Sequence, residues 1–190
     1  MSLPEKFKDS LPFSNVLNEK LLFGLLQKPV ISIRINPFKP SAVFQGAEKI
    51  PWSINGKYLN DRPEFVSDPL FHAGTYYSQE ASSMFLGKIL NSIDLSQKIV
   101  LDLCAAPGGK STLINSFLPK DALLLANEVI KSRSWILKEN MDKWGSSNVI
   151  VTNNDPSDFE QFLGFFDVVV VDAPCSGEGM FRKDKKAINE

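Results

Sequence analysis

The chain has 190 residues, 43% hydrophobic and 23% charged, an ordinary globular composition with room for one domain and a small appendage. A formal net charge of −1 excludes a global electrostatic footprint for nucleic acid, so any polyanion contact has to come from local clusters such as Arg182-Lys-Asp-Lys-Lys186. Two cysteines set in turn motifs argue for a reducing compartment, and no apolar stretch approaches the roughly 18 residues of a membrane span, so the chain reads as soluble and cytoplasmic with no membrane partner.

Val16, Leu17, Leu21, Leu22, Leu25 and Leu26 recur at three- and four-residue spacings and predict an amphipathic helix over 13–27, ended by Lys28-Pro29. Ile31-Ser-Ile-Arg-Ile35 alternates and predicts a strand. Pro40, Gly46, Pro51, Gly56, Pro63 and Pro69 then permit only short elements, which makes 1–70 a small α+β region. Beyond it the pattern predicts a short strand at 75–77, a helix over 79–90 and a continuous apolar strand over 99–103. A helix over 110–117 stops before Pro119, and a strand over 122–126 follows. Next come a helix over 131–144 closed by Gly145, a strand over 149–152, a short helix near 158–163 and a strand over 168–171. Apolar strands alternating with helices specify a doubly wound α/β fold over 71–190, a parallel sheet covered on both faces.

In such a sheet ligands bind beyond the carboxyl ends of the strands, and the unusual residues fall there: 104–110, Glu128, Asp155 and 172–177. Gly108 and Gly109 let backbone approach a ligand closely, and the helix that follows offers N–H groups at its start. Glu128 ends the second strand of the sheet, where an acid can accept both hydroxyls of a ribose, and Asp155 ends the third, where it can receive an exocyclic amine of adenine. The set describes a nucleoside-bearing cofactor, with no metal and no required pyrophosphate. A P-loop NTPase is the rival, because Gly109-Lys-Ser-Thr112 mimics the end of that motif and the strand reaching Asp172 mimics its magnesium strand. It is the weaker reading: Cys104 stands where the pattern needs glycine, Pro107 removes an N–H, and Glu128 and Pro174-Cys175 go unexplained.

The runs Asp102-Leu-Cys-Ala-Ala-Pro-Gly-Gly-Lys-Ser111, Asn127-Glu128 and Asp172-Ala-Pro-Cys-Ser-Gly177, with Arg34-Ile-Asn36 and Tyr77-Ser-Gln-Glu-Ala-Ser-Ser83, resemble the N-terminal part of the Sun family of RNA cytosine-5 methyltransferases. The resemblance implies a small RNA-binding-type region leading into the first half of a Rossmann-like class I methyltransferase domain. It implies S-adenosyl-L-methionine as cofactor and RNA as substrate, ribosomal RNA ahead of transfer RNA. By the same resemblance Cys104, Ala105, Ala106, Pro107, Gly108, Gly109 and Lys110 wrap the methionine part, Glu128 holds the ribose, Arg133 sits beside the cofactor and Asp155 meets the adenine. Asp172, helped by Lys110, lies next to the target base.

Methylation at cytosine C5 requires a thiolate to add first at C6 of an unstacked base. The family supplies that thiolate from a Thr-Cys motif on a later strand, and its Pro-Cys cysteine, here Cys175, assists product release. This sequence has no later cysteine, so the chain alone is expected to be inactive, and poorly soluble or held by a partner. A catalytically inert module that binds cofactor and RNA is the alternative from another class. Plainer readings stand beside these: Cys104 as a packing residue, Asp155 and Asp172 as helix N-caps, Lys110 as a first-turn lysine set against the helix dipole. Arg133 is a solvated surface residue without the family match, Trp135 and Trp144 read as core from their spacing, and His72 receives no catalytic role.

Overall fold

The computed structural model describes residues 3–39 and 41–175, which leaves Ser176, Gly177 and the 182–186 cluster outside the described residues. Two compact units emerge, Met1–Val30 with Pro174–Glu190, and Ile31–Ala173. The first carries helices α1 (Glu5–Asp9) and α2 (Asn15–Leu25). α2 forms where the periodicity predicts it, yet none of its residues is buried, and Val16, Leu17 and Phe23 are more than half exposed.

In the second unit β1 (Ile31–Ile35) is the centre of a three-stranded antiparallel sheet, flanked by β2 (Gly56–Leu59) and β3 (Tyr76–Ser78). Ile33 sits opposite Lys57 on one side and Ser78 on the other. The sheet therefore takes strands from both sides of position 70, and the contacts divide the chain at residues 30 and 173 instead. A short helix α3 (Pro69–His72) is capped by Asp68, whose carboxylate accepts from Leu70 N–H. The helix expected over 79–90 begins later, as a 3-10 turn (Ser82–Phe85) continuing into α4 (Leu86–Leu90). Gln79 cannot join it because its backbone continues the pairing with β1: Gln79 N–H donates to Ser32 O at 3.3 Å, and Gln79 O accepts from Ser32 Oγ at 2.6 Å.

The parallel sheet comprises β4 (Ile99–Asp102), β5 (Leu123–Asn127), β6 (Val149–Thr152) and β7 (Val168–Val170), in the spatial order β6-β5-β4-β7. α5 (Gly109–Asn115) follows β4 and α6 (Lys131–Trp144) follows β5. One face is packed: Val100, Leu124 and Ala126 meet Leu90, Ile114, Leu118, Leu137 and Met141 in a continuous core. The opposite face corrects the expectation of full cover. Leu101, Leu125, Ile150 and Val169 lie in one cross-strand row, and its outer members Ile150 and Val169 are 48% and 51% exposed. Trp135 is also corrected, since it is 63% exposed while Trp144 is buried: the inward stripe of α6 runs through Ser134, Leu137, Met141 and Trp144, and Trp135 lies a residue out of phase with it.

Two polar devices lock the antiparallel sheet to the parallel one. The Arg34 guanidinium, 1% exposed, donates from Nε to Gln79 Oε1 at 2.7 Å, from Nη1 to Thr112 O and Ser116 Oγ, and from Nη2 to Thr112 Oγ1 at 2.6 Å and Gly109 O. Its carbon stands 4.4 Å from the centre of the Trp144 ring. The second device closes α6, whose last carbonyls have no partner within the helix. Asn36 Nδ2 donates to Trp144 O at 2.9 Å and Lys39 Nζ to Lys143 O at 2.5 Å, placing a cation where the helix dipole is negative. Gly145 then ends the helix at φ 88°.

Arg34→Ala should orphan several buried acceptors and lower the free energy of unfolding by about 3 kcal/mol in a urea titration. Arg34→Lys should recover little of this, because one ammonium cannot reach acceptors on Gln79 and α5 together. At Gly74, φ is +67° and an added Cβ would lie 2.0 Å from Lys143 O. Gly74→Ala should therefore abolish cooperative unfolding or cut the yield of folded protein, and a wild-type melting curve would refute this account of the junction.

Candidate functional site

The chain order β4, β5, β6 runs outward on one side, and β7 returns to the other side of β4. The reversal places a crevice at the carboxyl end of β4, where an open α/β sheet binds its ligands. The loop at 103–108 occupies that position. It contains a cis peptide between Ala106 and Pro107, and Gly108 adopts φ 110° as it enters α5, a conformation open chiefly to glycine.

The hydrogen bonds of this loop show how it is used. Ala105 N–H is spent on Asn127 O and Gly108 N–H on Ala105 O, each at 2.8 Å. Its carbonyls accept from α6: Arg133 Nη2 donates to Ala106 O at 2.8 Å and Asn140 Nδ2 to Pro107 O at 2.7 Å. A phosphate cradle needs converging free N–H groups, and a loop that spends those of Leu103, Ala105 and Gly108 on protein carbonyls is poorly built for one.

Beneath the loop Asp102, wholly buried, ends β4. Its Oδ2 accepts from Ser111 Oγ at 2.7 Å, and Oδ1 has no hydrogen-bond partner among the described residues. Burial pushes its pKa up to about 6, against the opposing pull of the Ser111 hydroxyl and the Lys110 ammonium. Asp102 was absent from the residues the sequence singled out for a role, although an acid closing an apolar strand was a legible signal.

Glu128 follows β5 and is 3% exposed. Oε1 accepts from Ile130 N–H at 3.0 Å, and Oε2 lies 3.5 Å from Arg133 Nη1. Arg133 thus bridges Glu128 and the loop carbonyl, a placement that periodicity alone did not reveal. Asn127, wholly buried, ties three strand ends together, donating to Leu103 O and Asn154 O and accepting from Thr152 Oγ1.

Asp172, after β7, forms an ion pair with Lys110 Nζ at 2.5 Å across 62 residues of sequence. Cys104 is half-buried, and burial together with the Asp102, Glu128 and Asp172 carboxylates pushes its thiol pKa up, so it stays protonated. Asp155 sits as its plainer reading had it: it caps a 3-10 helix (Pro156–Phe162) in a capping box, its Oδ1 accepting from Ser157 N–H and Oγ at 2.9 and 2.6 Å. Pro156 at the start of that helix explains why it begins two residues earlier than expected. Cys175 belongs to the other compact unit and is exposed. His72 Nε2 lies 2.9 Å from Val66 O at the surface. Among the described residues no helix is long and apolar enough to cross a membrane.

A four-stranded parallel sheet with its crevice at the end of β4, a glycine-entered helix and a buried acid after β5 define a Rossmann-like methyltransferase fold. Solved neighbours agree. A methyltransferase homolog protein from Pyrococcus horikoshii superposes with a TM-score of 0.73 at 25% identity, over 98% of this chain and 68% of that one. NSun6 from Pyrococcus horikoshii, solved with SFG, shares the fold at a TM-score of 0.73 and 17% identity, over 91% of this chain and 71% of its own. Residues 89–189 match the family described as 16S rRNA methyltransferase RsmB/F, and 3–81 match the N-terminal domain of 16S rRNA methyltransferase RsmF. The chain belongs to the RsmB/F family. Ribosomal RNA small subunit methyltransferase F of Psychromonas ingrahamii is 37% identical over 205 residues, covering 98% of this chain and 43% of that protein. The chain thus spans about two fifths of the length of the curated relative it matches.

The folded Asp102 carboxyl takes up its proton near pH 6 and the unfolded one near the ordinary carboxylate value, so the folded state binds more protons between the two. The stability contributed by this group therefore falls as pH rises through that window. Relative to wild type, Asp102→Asn should gain up to about 3 kcal/mol between roughly pH 4 and pH 7, read from paired urea titrations. A difference independent of pH would contradict the burial argument.

Proposed function

We propose that this chain supplies the cofactor side of an enzyme that transfers a methyl group from S-adenosyl-L-methionine to C5 of a cytosine in small-subunit ribosomal RNA, in the cytoplasm. The observation that carries the reading is the orphaned, buried Asp102 Oδ1 beneath a glycine loop, beside a buried Glu128. Carboxylates at 102, 128 and 172 gather around the loop, a set of acceptors suited to a cofactor bearing ammonium and sulfonium charge and unsuited to a triphosphate.

When bound, S-adenosyl-L-methionine supplies an electrophilic methyl group. The residues that would hold it are those at 104–110 and Asp102 toward the methionine part, Glu128 toward the ribose hydroxyls, with Arg133 fixing Glu128 against the loop. Asp155 is assigned to the adenine edge through the oxygen that is not bonded to Ser157. Asp172 is positioned by Lys110 to accept a hydrogen bond from a cytosine amine, and Lys110 neutralises it while no base is present. The raised pKa of Cys104 keeps that thiol out of nucleophilic chemistry. We assign Cys175 the auxiliary role in product release that its Pro-Cys setting supports, with C6 attack left to a different thiolate.

Calorimetric titration of the chain with S-adenosyl-L-methionine should show binding that Glu128→Ala weakens at least tenfold. Magnesium-dependent ATP binding with no response to S-adenosyl-L-methionine would overturn the proposal. A transfer assay with tritiated cofactor and unmodified small-subunit ribosomal RNA tests the cysteines. Robust turnover by residues 1–190 that Cys175→Ala abolishes would make Cys175 the attacking thiol and refute its auxiliary assignment.

A further inference from the structure

Away from the strand ends, the segment at 49–54 faces α4 across a groove of about 470 Å³, within the ~300–1,000 Å³ typical of small-ligand sites. Trp52 and Phe117, both half-exposed, contribute its aromatic surface. Trp52 Nε1 donates to Ala81 O at 2.7 Å, which fixes the indole in place. Gly87 admits the Phe117 ring, because a Cβ there would stand 3.0 Å from it. Lys49, Ser53, Lys88 and Asn91 supply polar lining, and among the described residues no acidic side chain lines the groove. Among the described residues neither Lys49 nor Lys88 forms an ion pair with a carboxylate. Lys57 lies across an isolated bridge from Lys49 and adds a second cation to that hairpin. Two ammonium groups without a carboxylate partner therefore stand beside the aromatic surface of this groove.

We propose that this groove binds a single-stranded segment of the RNA substrate, with Lys49 and Lys88 on its phosphates and the Trp52–Phe117 surface against a base. Charge complementarity selects a polyanion, and the aromatic surface of Trp52 and Phe117 suits one that carries flat bases. The site lies apart from the crevice at the end of β4, so it anchors the RNA and takes no part in methyl transfer. The inference rests on the proposed RNA substrate.

Fluorescence anisotropy of labelled fragments of unmodified small-subunit ribosomal RNA, over a salt series, tests it with the chain and its Lys49→Ala/Lys88→Ala variant. The variant should bind about tenfold more weakly. Its log K against log salt slope should be shallower by about 1.4, for two single-strand phosphates at ~0.7 each. S-adenosyl-L-methionine affinity should be unchanged, and Lys49→Arg/Lys88→Arg should keep RNA affinity. If the wild-type chain binds no RNA, the substrate reading fails and takes the groove with it. If wild type binds and the double-alanine variant binds equally, the groove alone is refuted, as it would be for a site that receives a protein. An equal loss from the control Lys120→Ala/Lys138→Ala, outside the groove, would also refute it, since the effect would then be general charge.

Discussion

Burying a guanidinium is costly unless every donor finds an acceptor, and Arg34 meets that demand in one place only. Its five N–H groups are matched by Gln79, Gly109, Thr112 and Ser116, with no carboxylate among them, and Trp144 covers its face. Burial lowers its pKa to about 9, so it remains charged at neutral pH. The acceptors sit on α5 and on the residue after β3, so satisfying the charge fixes the separation of the two sheets. Thr112 Oγ1, which accepts from Arg34, donates in turn to Gly108 O at 2.7 Å. The loop at 103–108 is thereby anchored from β1, and its conformation depends on a residue about 70 positions earlier in the sequence.

The crevice is organised by a similar economy of donors. The loop turns its carbonyls toward Arg133 and Asn140 and spends its N–H groups on its own neighbours, while Asn127 ties the ends of β4, β5 and β6 to one another. What remains unsatisfied is acidic: one oxygen of Asp102, buried beside a serine. The near match to a P-loop is a likeness of residue types alone, because carboxylates stand around these glycines and the lysine is already paired to Asp172.

Strong periodicity was legible. The helix at Lys131–Trp144 and the strand at Val149–Thr152 form with the expected bounds, because each has one dominant pattern and a clear stop. β2 was missed because Gly-Lys-Tyr-Leu is too short and too polar to stand out, and it becomes a strand only by pairing with β1. Ser32, Arg34 and Asn36 look like a solvent face, and all three are buried. Alternation identifies two faces of a strand but does not say whether a polar face meets water or a polar partner elsewhere. The sequence singled out Glu128, Asp155 and Asp172 and left the N-cap reading of Asp155 open, and it passed over Asp102, whose burial depends on strands and a helix it contacts only in the folded chain.

The link between Asn36 and the end of α6 spans 108 residues of sequence. A ribosome adding ~5–20 residues per second needs on the order of 5–20 s to make that stretch, so Asn36, Lys39 and Arg34 emerge well before their acceptors exist. During that interval β1 can pair with β2 and β3, but its polar face stays hydrated and its central cation unplaced. The N-terminal sheet is therefore held in waiting by its own sequence, and its final docking reports that synthesis has passed Trp144. The anchoring of the loop at 103–108 and the docking of the first sheet thus draw on the same cation, Arg34, through Thr112.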